Sequence, residues 1–386
     1  MNEFLKIGIF REKIEVKEGM NLCGYPNTET RFCKGSKGDI EANGIILKKD
    51  KQTGCIISLD VIGTSLSFTN KIREKIEKEF DIPFDNIMIS ATHTHSSGIT
   101  TGRIWKVDEE FLREIETKII KGIEKGYNNF EEVKIKWLKT NVDISHNRRV
   151  VINGKAINEW QDMERKHTGI VDKEVIVLGF FRKNGSLKSM IINYACHPVV
   201  LGPSNFYASA DYVGYMRNFL IDKIIFENIV FLQGASGNIN PRNCITDNLE
   251  IAKKTGETIG EEILKSLNNF KEIEKTDFNF ERKRVEFMKK DGTGTLGTEI
   301  QTLNIGDEIF IIALPGEAVV EIGLELKRKS IYPVTIVTGY SNDYIGYIAT
   351  DQILAEGAHE ANSCPVKNVE ETIRKELSKY MKNDKS

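Results

Sequence analysis

The chain has 386 residues, 40% of them hydrophobic and 28% charged, which supplies a large core and excludes a disordered or fibrous composition. Fifty-four Lys and Arg against 56 Asp and Glu leave a formal charge of −2 with no long block of either sign, so nucleic acid and an anionic membrane are not indicated as partners. The N-terminus carries charges from its third residue and no run reaches the roughly 18 uncharged apolar residues of a span. With six scattered cysteines and no CxxC pair, the expectation is a cytoplasmic protein with reduced thiols and no integral membrane segment.

In chain order, the β-branched run at 54–59 reads as a buried strand. Residues 66–80 follow as an amphipathic helix, then a strand at 86–90 and a helix over 108–127. Residues 140–170, which contain Asn147, Arg148 and Arg149, are polar and irregular and predict an excursion over the sheet. Strands at 174–178 and 190–194 lead to a helix at 211–226, a strand at 229–232 and a helix at 248–268. The stretch 279–307 resembles a β meander, and its Gly-rich turn at 292–297 fits no nucleotide fingerprint. A strand at 309–314, a helix over 317–329 and a strand at 334–337 complete the pattern. Strands alternating with helices predict an α/β, mixed α+β fold, a central sheet flanked by helices. Residues 1–386 are read as a single domain.

Polar residues suited to metal binding follow the predicted strands directly. The run Asn86 to Ala91 leads into Thr92-His93-Thr94-His95, and Met190 to Ala195 leads into Cys196-His197-Pro198. Ile309 to Ala313 leads into Leu314-Pro315-Gly316-Glu317, and the strand at 334–337 leads to Tyr344 and Tyr347. Ligands of α/β sheets gather at the carboxyl ends of strands, so the site is expected there. Histidine is scarce, six in the chain, and His93, His95 and His197 all fall in these loops. Imidazole and carboxylate suit zinc, whose catalytic sites take about three protein ligands and a water. The loop Gly234 to Asn238 is either a nest of backbone N–H groups for an oxyanion or a tight turn between strand and helix. Ser236 does not sit in a G-x-S-x-G elbow, which argues against a serine hydrolase.

These motifs resemble the catalytic domain of the neutral/alkaline non-lysosomal ceramidase family. The matching stretches are THTHS at 92–96, NYACHPV at 193–199, SADYVGY at 209–215, LQGASGNINP at 232–241, LPGE at 314–317 and SNDYIGY at 341–347. The resemblance implies one Zn2+ per chain, held by His93, His197, Glu317 and Tyr347, with Tyr344 the alternative tyrosine. It places Arg148 at the substrate and His95 either around the metal ligands or by the substrate; on chemical grounds His95 is the expected proton shuttle, with Arg148, Tyr347 and His359 stabilising the oxyanion or leaving group. Gly234, Ser236, Asn238 and Asn240 are expected to bind substrate. Asn240 stands where the family has a serine, and His359 where it has a tyrosine. No C-terminal immunoglobulin-like domain is expected. The implied activity is zinc-dependent, ceramidase-like hydrolysis of an amide or ester by activated water, on a small-molecule substrate, with a lipid among the candidates. The alternatives are a two-metal hydrolase using both His93 and His95, and a non-catalytic metal- or ligand-binding homologue.

Overall fold

The computed structural model describes residues 4–382. Two β-sheets face one another, with helices on both outer faces. The larger, nine-stranded sheet runs in the order Asn228–Gln233, Leu187–Tyr194, Glu174–Arg182, Glu131–Asn141, Lys6–Ile14, Ile40–Lys49, Gln52–Leu59, Ile87–Ala91, with the short strand Lys271–Glu272 beside Glu131–Asn141. The five-stranded sheet runs Val334–Thr338, Ile309–Ala313, Thr295–Ile305, Phe278–Lys289, Val366–Lys367.

The layers follow from strict alternation along each strand, since successive side chains point to opposite faces. In the strand at 52–59, Cys55, Ile57 and Leu59 join the cluster under helices Leu66–Phe80 and Glu109–Tyr127, whereas Ile56 faces the other way. In the strand at 228–233, Ile229 and Phe231 pack beneath helices Asp211–Lys223 and Leu249–Ser266, whereas Val230 and Leu232 face the second sheet. Ile309 and Ile311 of the smaller sheet meet them, and Phe310 and Ile312 point out to helices Val320–Lys329 and Val369–Leu377. Both faces of the central strands are therefore buried, which explains their nearly continuous apolar runs. Side-chain caps fix helix starts, among them Ser65, whose Oγ accepts from Phe68 N at 3.2 Å, and Asp108, which accepts from Phe111 N at 3.0 Å, each worth about 1 kcal/mol.

The larger sheet curls until distant strands meet. Ser58 Oγ donates to Phe231 O at 2.6 Å and Asn228 Nδ2 to Gly44 O at 3.1 Å. Backbone bonds then stitch the carboxyl ends of four strands together: Ala91 N to Tyr340 O at 3.0 Å, Gly339 N to Gln233 O at 3.0 Å, and Gly234 N to Tyr194 O at 2.9 Å. This seam positions the site.

The predicted mixed α+β architecture, with a large central sheet and flanking helices, is present. The five-stranded sheet goes beyond it: the stretch at 279–307 forms a long hairpin that pairs onward with Ile309–Ala313. Strands Lys6–Ile14, Ile40–Lys49 and Glu131–Asn141 were not expected; charged residues such as Arg11, Glu12 and Lys134 interrupt two of them. The helix expected from 317 starts at Val320, because Glu317 and Ala318 pair as a short parallel strand with Tyr347 and Ile348. Residues 140–170 form the excursion, with the small hairpin Arg149–Ile152 and Lys155–Asn158. All six cysteines are free and buried, and among the described residues no helix is long and apolar enough to cross a membrane.

Candidate metal centre

His93 leaves the strand Ile87–Ala91 in the left-handed region, at φ 68°, a conformation that costs a non-glycine residue energy and marks functional turns. Its backbone N–H is held by Val61 O at 2.9 Å. The ring nitrogen Nδ1 lies 2.5 Å from Ile62 O. A carbonyl can only accept, so Nδ1 carries the proton and Nε2 presents a lone pair. His197, after the strand Leu187–Tyr194, repeats the device: Nδ1 lies 2.6 Å from Ser236 O, and its backbone N–H is held by Ile239 O. Both Nε2 atoms then face Glu317 Oε2, at 3.4 Å from His93 and 3.1 Å from His197.

Two unprotonated nitrogens and a carboxylate oxygen aimed at one another repel unless a cation or a shared proton lies among them. The donor set fits Zn2+, which takes imidazole and carboxylate ligands, and the Nδ1–H to carbonyl bonds are the outer contacts that orient metal-binding imidazoles. Burial pushes the His197 imidazole down to about 4, with Glu317 opposing. Burial also raises the Glu317 carboxyl, but His93 and His197 more than offset it and hold it well below the usual range. Gly237 makes this arrangement possible, because a Cβ there would come within 2.6 Å of Glu317 O.

The two candidate tyrosines have different partners. Tyr344 donates its hydroxyl to Glu317 Oε1 at 2.5 Å and so steadies the carboxylate. Tyr347 pairs in register with Glu317 on the short parallel ladder, and its phenolic oxygen accepts from Arg148 NH2 at 2.8 Å. Burial raises the Tyr347 phenol well above its ordinary value, while the Arg148 charge opposes that rise.

His95 is built differently. Its Nε2 lies 3.1 Å from His93 Nε2, its Nδ1 has no hydrogen-bond partner among the described residues, and its ring meets Tyr25 edge-on. The ligand atoms of His93, His95 and His197 all lie within 4.8 Å of one another. Burial, then the neighbouring His93 and His197, push its pKa well below the ordinary value. The fully buried Arg31 holds the turn by donating to His95 O at 2.5 Å and Cys23 O at 3.1 Å.

A cavity of about 370 Å³ is walled by His93, His95, Glu317, Tyr344, Tyr347 and His359 together with Tyr25, Ile104 and Trp105, while His197 is buried outside that wall. The other expected site residues sit elsewhere. Arg148 lies behind Tyr347, outside the cavity wall, where Nε bonds Glu360 Oε1 at 2.8 Å, NH1 bonds Asn240 Oδ1 at 3.0 Å and NH2 also reaches Gly237 O at 2.7 Å. Gly234, Ser236, Asn238 and Asn240 are buried and also absent from the wall. The contacts made at the two glycines of that loop are those of the tight-turn reading. The N–H groups of Gly234 and Gly237 are spent on Tyr194 O and Ala318 O, Ser236 O orients His197, Asn238 Oδ1 caps Val320 N at 2.9 Å, and Asn240 holds Arg148. The loop must turn inward to supply these carbonyls, so it supports the ligand candidates and leaves no side chain to the cavity. His359 does line the wall, edge-on to Tyr347 and Trp160. Sequence reasoning missed Arg31, Tyr25 and Glu360; the 212-residue separation of Glu360 from Arg148 leaves no local signal.

The family model described as neutral/alkaline non-lysosomal ceramidase, N-terminal, matches residues 15–229. Among solved structures, the neutral ceramidase from Pseudomonas aeruginosa superposes with a TM-score of 0.82 at 16% identity, covering 97% of this chain and 73% of that one. A structure described as ceramidase complexed with C2 matches with the same score and identity, covering 97% and 74%. At this identity the structural likeness establishes the fold.

Proposed function

The chain belongs to the neutral/alkaline non-lysosomal ceramidase family, and from that premise we propose that it is a zinc-dependent amidohydrolase. The observation that carries the reading is the pair of imidazoles, His93 and His197, whose Nδ1 protons are taken by carbonyls and whose Nε2 atoms face Glu317 at the cavity wall. His93, His197, Glu317 and Tyr347 would hold the metal. When bound, zinc supplies a Lewis acid that polarises a carbonyl and brings water to a pKa of roughly 7.

The remaining steps belong to side chains. Tyr347 is chosen over Tyr344 because Arg148 donates to its oxygen, which favours the charged phenolate, while the Tyr344 proton is committed to Glu317. Arg148 thus acts through Tyr347. His95, in the wall with its Nε2 3.1 Å from His93 Nε2, accepts the proton lost by water and returns it to the leaving amine. His359 faces the same space and donates to the carbonyl oxygen as charge grows there. Tyr25, Ile104 and Trp105 give the acyl group an apolar wall. A cavity of about 370 Å³ is near the lower end of small-molecule sites, which favours short-chain amides over a two-chain lipid.

The test is metal content by elemental analysis together with hydrolysis of short-chain N-acyl amides and of long-chain ceramide in mixed micelles. About one zinc per chain and better kcat/KM on short amides are expected, both abolished in His197→Ala. Full zinc occupancy in that variant would refute the ligand set. The two-metal alternative draws on the closeness of His95 to His93 and would show as two metals per chain.

A further inference from the structure

Two formally charged side chains, other than the histidines, border the cavity: Glu317, assigned above to the metal, and Arg103. Arg103 sits exposed at the mouth. NH1 donates to Ile345 O, and NH2 donates to Ser363 O at 3.3 Å. A guanidinium has five N–H donors in a rigid fork, so two carbonyl bonds fix its orientation and leave three donors uncommitted. Among the described residues no carboxylate forms an ion pair with it, unlike Arg148 and Arg149, which share Glu360.

The placement of this charge is built into the backbone. The guanidinium lies directly on Gly346, where a Cβ would come within 2.6 Å of its Cζ and 2.7 Å of its Nε, and Gly346 is at φ +90°. The left-handed conformation favours glycine there, and its missing side chain lets the guanidinium lie against the backbone. Gly346 in turn precedes Tyr347, and its carbonyl accepts the Glu317 N–H at 2.9 Å. The cation therefore rests against the residue that precedes Tyr347 and hydrogen-bonds Glu317, two of the proposed metal ligands. A neutral substrate offers this fork single uncharged acceptors, whereas a carboxylate matches it with two parallel, charge-assisted bonds. Ile62, Ile104 and Trp105 suit the hydrocarbon of an acyl chain, which leaves the anion to the amine half.

We propose that Arg103 recognises a carboxylate on the amine half of the substrate, so that this chain's amides are N-acylated amino acids or close relatives. This rests on the hydrolase reading above. The test compares N-octanoylglycine with its neutral counterpart N-octanoylethanolamine on zinc-loaded wild type, Arg103→Gln and Arg103→Lys. Wild type is expected to prefer the acid in kcat/KM by about tenfold or more, and Arg103→Gln to lose most of that ratio, chiefly through KM. Arg103→Lys should recover part of it, as a charge without the fork. The neutral amide measured on the same variant controls for folding. An acid-to-neutral ratio equal in wild type and Arg103→Gln would overturn the proposal and leave Arg103 as a staple between Ile345 and Ser363. Should neither amide turn over, the hydrolase reading falls separately. Calorimetric titration of N-octanoylglycine then decides Arg103: binding at least about tenfold tighter to wild type than to Arg103→Gln supports it, and equal binding overturns it.

Discussion

His93 and His95 are two residues apart, yet one has the carbonyl contact that sets a metal-binding tautomer and the other does not. Orienting contacts of this kind accompany nearly all metal-bound imidazoles, which supports the proposal of His93 as ligand and His95 as proton carrier. His95→Ala is therefore expected to keep about one zinc per chain and to lower kcat roughly a hundredfold, the scale of a single acid-base group. Loss of metal in that variant, read by elemental analysis, would instead favour two metals. The ligand candidates were legible because scarce histidines, a PGE turn and strand-end tyrosines carry local signatures. Their supports were not: Ile62 and Ser236 act through backbone carbonyls, which any residue type provides. For the same reason the loop at 234–240 looked like a substrate site, since a glycine-rich turn reads alike whether its N–H groups are open or spent.

At the scale of elements, the excursion is fastened to the short helix Ala358–Ser363 by one buried carboxylate. Glu360 accepts from Arg148 Nε at 2.8 Å, Arg149 NH1 at 2.9 Å and Asn158 Nδ2 at 2.9 Å. Burial alone would raise this carboxyl; Arg148 and the other donors reverse the effect and bring it to about 2. A depressed folded-state pKa stabilises above the unfolded value and loses that contribution as pH falls through the folded one. The benefit is thus complete above about pH 5 and fades towards pH 2, on the order of 3 kcal/mol at most. Glu360→Gln should be destabilised at pH 7 by a few kcal/mol, because two guanidiniums lose their buried partner. The gap from wild type in denaturant titrations should narrow steadily between pH 5 and pH 3. A gap independent of pH would show that Glu360 acts by shape alone. The excursion itself was legible in its polar composition, but a partner some 200 residues away was not.

At the scale of the molecule, the four proposed ligands come from two sheets. His93 and His197 follow strands of the nine-stranded sheet, and Glu317 and Tyr347 follow strands Ile309–Ala313 and Val334–Thr338 of the five-stranded one. The second sheet was hard to foresee because periodicity gives a strand's faces and not the sheet it joins; Ile56 and Ile311 read alike and pack together across the interface. A metal bound here ties the sheets at their carboxyl ends, while their shared apolar cluster ties them along their length. The unfolded chain has no such site, so binding free energy adds to folding free energy. Zinc at about a thousand times its dissociation constant contributes roughly 4 kcal/mol, enough to move the midpoint of a chain this long by several degrees. Scanning calorimetry should show one cooperative transition in zinc-loaded protein, shifted down by several degrees after chelation and restored by zinc but not by magnesium, which demands octahedral oxygen ligands. His197→Ala should melt near the chelated wild type and ignore added zinc. If chelation strips the metal and the midpoint stays in place, the metal does not bind the folded chain in preference to the unfolded one, and this ligand set is wrong.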